Sequence, residues 1–113
     1  MDYVLLITSK GIGKGDPVLA EKLMYSYFYS LNEGGDSLPS HILLLNEGVK
    51  LVTEDAPVLE QLKSLVKKGV TLYACGLCLD YYNLNSQVKA GEIGNMYTNQ
   101  DILAKAQNVI TLG

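Results

Sequence analysis

Short apolar segments alternate with longer amphipathic segments along this chain, and this alternation restricts the possible folds more than any other feature. Tyr3 to Thr8 reads YVLLIT and Ser40 to Asn46 reads SHILLLN, and both are short and rich in β-forming residues. A third segment, VTLYAC, ends at Cys75, and NVITL is predicted to form the last strand. Gly91 to Met96 is predicted to contain a brief fourth strand. Segments that are apolar throughout are typical of parallel strands buried on both faces.

The segments between the first three strands carry helix signals. Asp16 is predicted to cap the first helix and Pro17 to be its first residue, and this pairing favours a helix start. Gly34 and Gly35 are expected to end it. A second helix is predicted within residues 56–69, because four apolar side chains there lie on one stripe.

Two further helices complete the prediction. A short helix is expected to run through Cys78 and Tyr82. The last helix, TNQDILAKA, is predicted to begin with a capping box of Thr98 and Asp101. The connections between strands are too long for hairpins, which favours crossover helices. We therefore predict a single domain over residues 1–113, with an α/β fold. It is a three-layer α/β/α sandwich with an open, mostly parallel sheet of about five strands and helices on both faces.

Composition and charge argue against several classes of partner. The 113 residues carry nine Lys and Arg against twelve Asp and Glu, for a formal net charge of −3, and no basic cluster stands out. Binding of nucleic acid through phosphate contacts is therefore not expected. The start, MDYVLLITSK, lacks the pattern of a signal peptide, and no segment is apolar enough to span a membrane. We expect a cytoplasmic protein, in which a C-x-x-C motif serves redox, carrier or metal chemistry.

The predicted fold indicates where a functional site would lie. In open parallel sheets, ligands bind outside the carboxyl ends of the strands. Three loops are expected at that edge: Ser9 to Asp16, Asn46 to Thr53, and Cys75 to Tyr82. Asn46 is accordingly a candidate residue of a substrate pocket.

The first of these loops is rich in glycine, as many nucleotide-binding loops are. GIGKGD begins like the dinucleotide fingerprint G-x-G-x-x-G, but Asp16 occupies the position of the last glycine. The phosphate-binding pattern G-x-x-x-x-G-K-[ST] is absent as well. A flexible turn before a capped helix is the more economical interpretation. Gly11 and Gly13 remain candidates for the rim of a pocket that includes the cysteines.

A metal site is not expected. His41 is the only histidine, and it precedes a strand, at the edge of the sheet opposite the cysteines. Two thiolates and one distant imidazole do not supply the four ligands of a tetrahedral zinc site. The same distance argues against a Cys–His catalytic pair. We expect neither a metal nor another cofactor.

Cys75 and Cys78 are the only cysteines and the main candidates for catalysis. A cysteine at the junction between a strand and a helix lies near exposed backbone N–H groups, which favour the nucleophilic thiolate. Gly76 lies between the two cysteines, and Tyr81 and Tyr82 follow them as candidate walls of a thiol pocket. The pair can also be simply buried and unreactive.

A thioredoxin-like fold is the obvious alternative for a C-x-x-C motif. It requires a cis-proline after the motif, but Pro17, Pro39 and Pro57 all precede it. The predicted tail also continues as strand, helix and strand, where a thioredoxin-like domain ends in an antiparallel hairpin. The redox fold is not favoured, although redox chemistry of the two thiols remains open.

The order and spacing of these segments resemble the DsrE/DsrF-like sulfur-relay family. The resemblance is carried by VLLITSKGIGKGD, LLLNEGVKLVTEDAPVLEQLKSLVKKGV, ACGLCLDYYNL, GEIGNMY and VITL. Within the family the chain looks most like the C-terminal domain of YedF-like proteins, which are linked to selenium metabolism. Those proteins usually also have an N-terminal sulfur-carrier domain, which is not among residues 1–113. The resemblance implies a small α/β/α domain that assembles into trimers or hexamers.

The resemblance also implies a function, namely sulfur or selenium transfer by a sulfurtransferase-like domain. By its position after VTLYA, Cys75 corresponds to the cysteine that accepts sulfane sulfur as a persulfide. Cys78 is typical of the YedF-like branch and is expected to assist. The implied partner is a sulfur donor or acceptor protein, or a small sulfane-sulfur compound. Two alternatives stay open: a thiol–disulfide redox switch, and a non-catalytic assembly or binding subunit of a relay complex.

Overall fold

The structure is a computed structural model that describes residues 3–34, 36–53 and 55–113. Its five strands are β1 (Tyr3–Ile7), β2 (His41–Leu44), β3 (Thr71–Cys75), β4 (Glu92–Gly94) and β5 (Asn108–Leu112). Its four α-helices are α1 (Pro17–Gly34), α2 (Leu59–Lys67), α3 (Gly76–Tyr81) and α4 (Met96–Lys105). Two 3₁₀ helices, Asn46–Val52 and Asn85–Gln87, lie in connections that the sequence predicted only as loops.

The five strands form one sheet in the order β4-β3-β2-β1-β5, and every neighbouring pair is parallel. The chain therefore steps in one direction from β1 to β4 and then returns to the far side of β1. Because crossovers between parallel strands are almost always right-handed, this strand order puts α1, α2 and α3 on one face of the sheet and α4 on the other. The predicted three-layer α/β/α sandwich is confirmed, and the sheet is wholly parallel.

The main core lies between the sheet and the helices α1 and α2. Alternate strand residues point to this face, because successive side chains of a strand point to opposite sides. The fully or almost fully buried side chains of this layer are Leu5, Ile7, Ile42, Leu44, Leu72 and Ala74 from the strands, and Met24, Phe28, Leu62 and Leu65 from the helices. Each large aliphatic side chain buried in this way contributes about 1.5–3 kcal/mol to folding. Leu43 and Val4 on the opposite face are buried too, as expected when helices cover both faces.

The first two helices follow the sequence prediction with small changes. Asp16 caps α1, where its Oδ1 accepts hydrogen bonds from the N–H groups of Val18 (2.8 Å) and Leu19 (3.3 Å), and Pro17 is the first helical residue. Gly35, the second predicted stop residue, lies outside the described residues. α2 begins at Leu59 and not at residue 56. No helix among the described residues is both long enough and apolar enough to cross a lipid bilayer.

The predicted start of the last helix is wrong. α4 begins at Met96, and its N-cap is Asn95, whose Oδ1 accepts a hydrogen bond from the N–H of Thr98 at 2.9 Å. Asn is as good an N-cap as Asp or Ser, and here it satisfies the donor of the first turn directly. Thr98 therefore lies inside the first turn. Asp101, the second residue of the predicted capping box, pairs with Lys105 at 3.1 Å.

Gly48 ties the 3₁₀ helix Asn46–Val52 to the sheet, and we predict that Gly48→Ala destabilises the protein. A Cβ at this buried position would lie 2.4 Å from the backbone oxygen of Ile7, which cannot move without displacing β1. We expect a loss of about 1–3 kcal/mol in the free energy of unfolding, measured by urea denaturation.

Gly15→Ala is the matched control, because a Cβ at Gly15 meets no atom within 4 Å. Its free energy of unfolding is expected to stay within about 0.5 kcal/mol of that of the parent protein. Equal midpoints for the two variants would show that the contact between Gly48 and Ile7 does not constrain the fold.

Candidate active site at the carboxyl edge of the sheet

Cys75 lies at the junction between β3 and α3 and is almost completely buried. It is the last residue of β3 and the N-cap of α3, with φ −64° and ψ 122°, and its side chain is 1 % exposed. The turn is tight because Gly76 follows: a Cβ there would lie 3.2 Å from the backbone oxygen of Gly94 in β4. The thiol of Cys75 therefore belongs to the hydrophobic core at the carboxyl edge of the sheet.

Cys78 lies within the short helix α3 and is only partly buried. Its Sγ accepts a hydrogen bond from the backbone N–H of Asn46, with a distance of 3.1 Å between N and Sγ. Asn46 follows β2 closely and has φ 51°, in the left-handed region that asparagine tolerates better than most residues. Both cysteines are free thiols.

A small network of side chains holds Asn46 in place. The hydroxyl of Tyr82 donates a hydrogen bond to Asn46 Oδ1 at 2.8 Å. Lys50 Nζ lies 4.5 Å from the centre of the Tyr82 ring and 3.1 Å from Glu47 Oε2. Tyr81 packs edge-on against Tyr82, with 5.3 Å between ring centres, but is itself 83 % exposed. The network connects α3 to the start of the 3₁₀ helix and so keeps the Asn46 N–H beside Cys78.

Most of the candidate site residues named from the sequence lie close together in the structure. Cys75, Gly76 and Cys78 share the β3–α3 junction, and Asn46 and Tyr82 contact Cys78 directly or through one hydrogen bond. Tyr81 lies outside this group on the surface of α3.

The two candidate glycines of the first loop belong to a separate cavity of about 360 Å³. Gly11 backs onto α1, since a Cβ there would lie 2.7 Å from atoms of Ala20. Gly13 has φ 91°, with no atom within 4 Å of an added Cβ. Glu47 also lines this cavity, so the glycine loop neighbours the 3₁₀ helix. The loop shapes the surface next to the site, and its observed contacts are with α1.

The start of α1 offers little to a phosphate group. Its first free N–H groups, those of Val18 and Leu19, already donate to the carboxylate of Asp16. A bound phosphate would have to displace this carboxylate and would be repelled by its charge. The geometry thus agrees with the sequence argument against a nucleotide site.

The described residues contain no group of three or more His, Cys, Asp or Glu side chains placed to hold a metal ion. His41 begins β2 and lies opposite Thr71, the first residue of β3, whereas Cys75 ends β3. The histidine is therefore at the opposite edge of the sheet, as the sequence predicts, and its Nδ1 lies 2.9 Å from Ser40 Oγ.

A second cavity, of about 420 Å³, adjoins the cysteine site on the far side of Tyr82. Its wall includes Lys10, Glu21, Lys50, Tyr82 and Leu84, so it offers charges of both signs beside apolar surface. The position of Lys50 over the Tyr82 ring was not predicted from the sequence. The one available signal was its spacing of four residues from Asn46, which does not reveal a contact with a distant helix.

The protonation of Cys78 reflects two opposing influences. Burial raises the pKa of the Cys78 thiol, and the neighbouring Cys75 thiol raises this pKa further. The N–H of Asn46 acts in the opposite direction and lowers the pKa, because it stabilises the thiolate. The net shift of the Cys78 pKa is upward, so its thiolate forms at a higher pH than that of an ordinary cysteine.

Comparison with known proteins now identifies the family. A sequence profile of the DsrE/DsrF-like family matches residues 4–112. The chain belongs to the DsrE/DsrF-like family. This family is associated in general with sulfur relay. No curated protein sequence matches the chain.

Solved structures share the fold at low sequence identity. YchN from E. coli matches with a TM-score of 0.71 and 15 % identity, over 99 % of this chain and 100 % of that one. BT1422 from Bacteroides thetaiotaomicron, a conserved protein of unknown function, matches with a TM-score of 0.66 and 18 % identity, over 98 % and 95 % of the two chains. MTH1491 from Methanobacterium thermoautotrophicum, also of unknown function, matches with a TM-score of 0.64 and 16 % identity, over 96 % of each chain.

The raised pKa leads to a prediction about alkylation. The rate of iodoacetamide modification at Cys78 should rise with pH and reach half of its maximum above the usual range for cysteine, because only the thiolate reacts. Replacing Cys75 with alanine removes one of the groups that raise this pKa, so the midpoint should move to lower pH. The measurement is peptide-resolved mass spectrometry over a pH series. A midpoint that is unchanged or higher in Cys75→Ala would contradict the assigned influence of Cys75.

Proposed function

We propose that this chain is a sulfur or selenium transfer domain, in which Cys75 carries the transferred atom as a persulfide or its selenium counterpart and Cys78 assists. One observation carries the proposal. Two free thiols lie one helical turn apart at the carboxyl edge of the sheet, and a fixed backbone N–H points at the sulfur of one of them. Membership of a family associated with sulfur relay agrees with this chemistry.

The proposed chemistry follows from the properties of thiols and persulfides. A cysteine thiolate attacks the sulfane sulfur of a donor R–S–SH, forms Cys–S–SH and releases RS⁻. Burial of Cys75 shelters the persulfide from water and from stray thiols. When Cys78 attacks the sulfur bonded to the Cys75 side chain, HS⁻ leaves and a Cys75–Cys78 disulfide forms. A thiol reductant must then restore the two thiols before another cycle.

The proposed partner is a protein that donates or accepts sulfur, or a small sulfane-sulfur compound. The carboxyl edge around α3 supports a protein partner, because large apolar side chains are exposed there. They come from α3, β4 and the first turn of α4, and comprise Leu77, Tyr81, Ile93, Met96 and Tyr97. We further propose a cytoplasmic homo-oligomer, a trimer or hexamer, as the family resemblance implies.

A thiol–disulfide redox switch is the second candidate. It is favoured by the closeness of the two thiols, since Cys75 influences the pKa of Cys78. In this alternative the pair cycles between dithiol and disulfide and transfers no sulfane sulfur. A purely structural subunit would instead use the exposed apolar side chains and neither thiol.

Persulfide loading tests these alternatives directly. The reduced protein is incubated with inorganic polysulfide, and the tryptic peptide that contains both cysteines, residues 69–89, is fragmented in the mass spectrometer. We expect one added sulfur on Cys75, and none at this position in Cys75→Ser. A Cys75–Cys78 disulfide without sulfur addition would favour the redox switch. Two unmodified thiols in folded protein would favour the structural role.

The role of Cys78 in sulfide release is testable in the same system. Cys78→Ser removes the thiol that attacks the persulfide, so a loaded sample should release no sulfide, whereas the loaded parent protein releases it and forms the internal disulfide. Sulfide is measured colorimetrically after excess polysulfide has been removed. Release at the parental rate from Cys78→Ser would show that Cys78 has no part in this step.

A further inference from the structure

We propose that Cys78 is the thiol that first takes sulfur from the donor, and that the sulfur then passes inside the protein from Cys78 to Cys75. This inference rests on the proposed function and specifies the order in which its two thiols act. It assigns three further roles: Asn46 supplies the N–H that faces the reacting sulfur, and Tyr82 and Lys50 position Asn46.

The burial of the two side chains is the first argument. Attack on a donor requires the thiolate to approach the sulfane sulfur in line with the bond that breaks, at about 3–3.5 Å. Cys75 is 1 % exposed and packed in the core, so its sulfur is shielded from a donor bound at the surface. Cys78 is only partly buried and lies three residues further along the chain, within α3.

The hydrogen bond to Cys78 is the second argument. The N–H of Asn46 lies 3.1 Å from Cys78 Sγ and stabilises negative charge on that sulfur, both before the attack and when Cys78 leaves in the next step. Such a donor acts well only when it is held rigidly. Asn46 is held by its left-handed backbone conformation and by the hydrogen bond from Tyr82 to its side chain.

Tyr82 is a positioning residue, because it touches Asn46 and not the sulfur. Its hydroxyl donates to Asn46 Oδ1 at 2.8 Å, and the ammonium of Lys50 lies over its ring at 4.5 Å. The cation and the hydrogen bond together restrict the ring to one orientation. The ring also forms part of the wall of the 420 Å³ cavity, so a ligand there would meet the same side chain that fixes Asn46.

The two steps balance in atoms and charge. In the first, Cys78–S⁻ attacks the outer sulfur of R–S–SH, the donor's S–S bond breaks, and the products are Cys78–S–SH and RS⁻. In the second, the sulfur of Cys75 attacks the outer sulfur of Cys78–S–SH, and the S–S bond to Cys78 breaks. The proton of the Cys75 thiol passes to the Cys78 sulfur, so the products are Cys75–S–SH and Cys78–SH. No oxidant or reductant is consumed in either step.

Loading kinetics of single-cysteine variants test this order. Polysulfide is added to the parent protein, Cys75→Ser and Cys78→Ser, and samples are alkylated at intervals and analysed by fragmentation of the peptide of residues 69–89. In Cys75→Ser the added sulfur should appear on Cys78 at a rate close to the initial loading rate of the parent. In Cys78→Ser, loading of Cys75 should be slower by about tenfold or more, a factor that corresponds to about 1.4 kcal/mol in the barrier.

Loading of Cys75 at the parental rate in Cys78→Ser would overturn the proposed order and leave the proposed function intact. Absence of loading on both thiols of the folded parent protein would overturn the proposed function itself. A measurement on the parent protein guards against misfolding of a variant. Iodoacetamide at pH 8 should modify Cys78 at least about tenfold faster than Cys75, because burial keeps the reagent away from the Cys75 sulfur. Equal rates, or faster modification of Cys75, would contradict the proposed order.

Tyr82→Phe tests the positioning role, with Tyr29→Phe as its matched control. Tyr82→Phe removes the hydroxyl that holds Asn46, while Tyr29 lies half-exposed on α1, where its ring stacks on Tyr25. In Tyr82→Phe we expect the alkylation midpoint of Cys78 to move to higher pH and initial loading to slow by about threefold to tenfold. Tyr29→Phe should change neither. Identical pH profiles for the two variants would show that Tyr82 does not act through Asn46.

Discussion

The parallel pairing of β2 with β3 is the constraint on which the site depends. His41 lies opposite Thr71 and Leu44 opposite Ala74, so both strands end at the same edge of the sheet and in nearly the same register. Asn46, two residues after the end of β2, and Cys75, the last residue of β3, therefore lie side by side at that edge. A shift of one residue in this register would take Ile42 and Leu44 out of the layer between the sheet and α1 and α2, and the packing of that layer opposes it. The core of the protein thus fixes the distance between Asn46 and Cys78.

This arrangement makes two chemically identical side chains different. Cys75 is the last residue of a buried strand and is itself buried. Cys78 lies on α3 and faces the turn after β2. The first position suits protection of a reactive persulfide, and the second suits exchange with a partner. A C-x-x-C motif placed across a strand–helix junction provides both environments within four residues.

The fold and the site place different demands on the sequence. Solved structures at 15–18 % identity share the architecture over nearly the whole chain, since an alternating pattern of apolar strands and amphipathic helices is satisfied by many sequences. The contacts around Cys78 are more demanding: they need an asparagine that accepts a left-handed conformation and a tyrosine hydroxyl within hydrogen-bond distance. Fold similarity alone therefore says little about whether a relative performs the same chemistry.

The sequence by itself determined the strands, the order of elements, the cap of α1 by Asp16 and the edge at which both cysteines lie, because these follow from local periodicity and from the rules of parallel sheets. It placed the start of α4 wrongly, because Asn95 and Thr98 both suit an N-cap and only the surrounding backbone selects one. The unequal burial of the thiols, the hydrogen bond from Asn46 to Cys78 and the position of Lys50 over Tyr82 were decided by the tertiary structure. The hydrogen bonds around Asn46 and the contact between Lys50 and Tyr82 join residues about thirty positions apart. Contacts of that kind depend on how the layers pack and not on any local pattern.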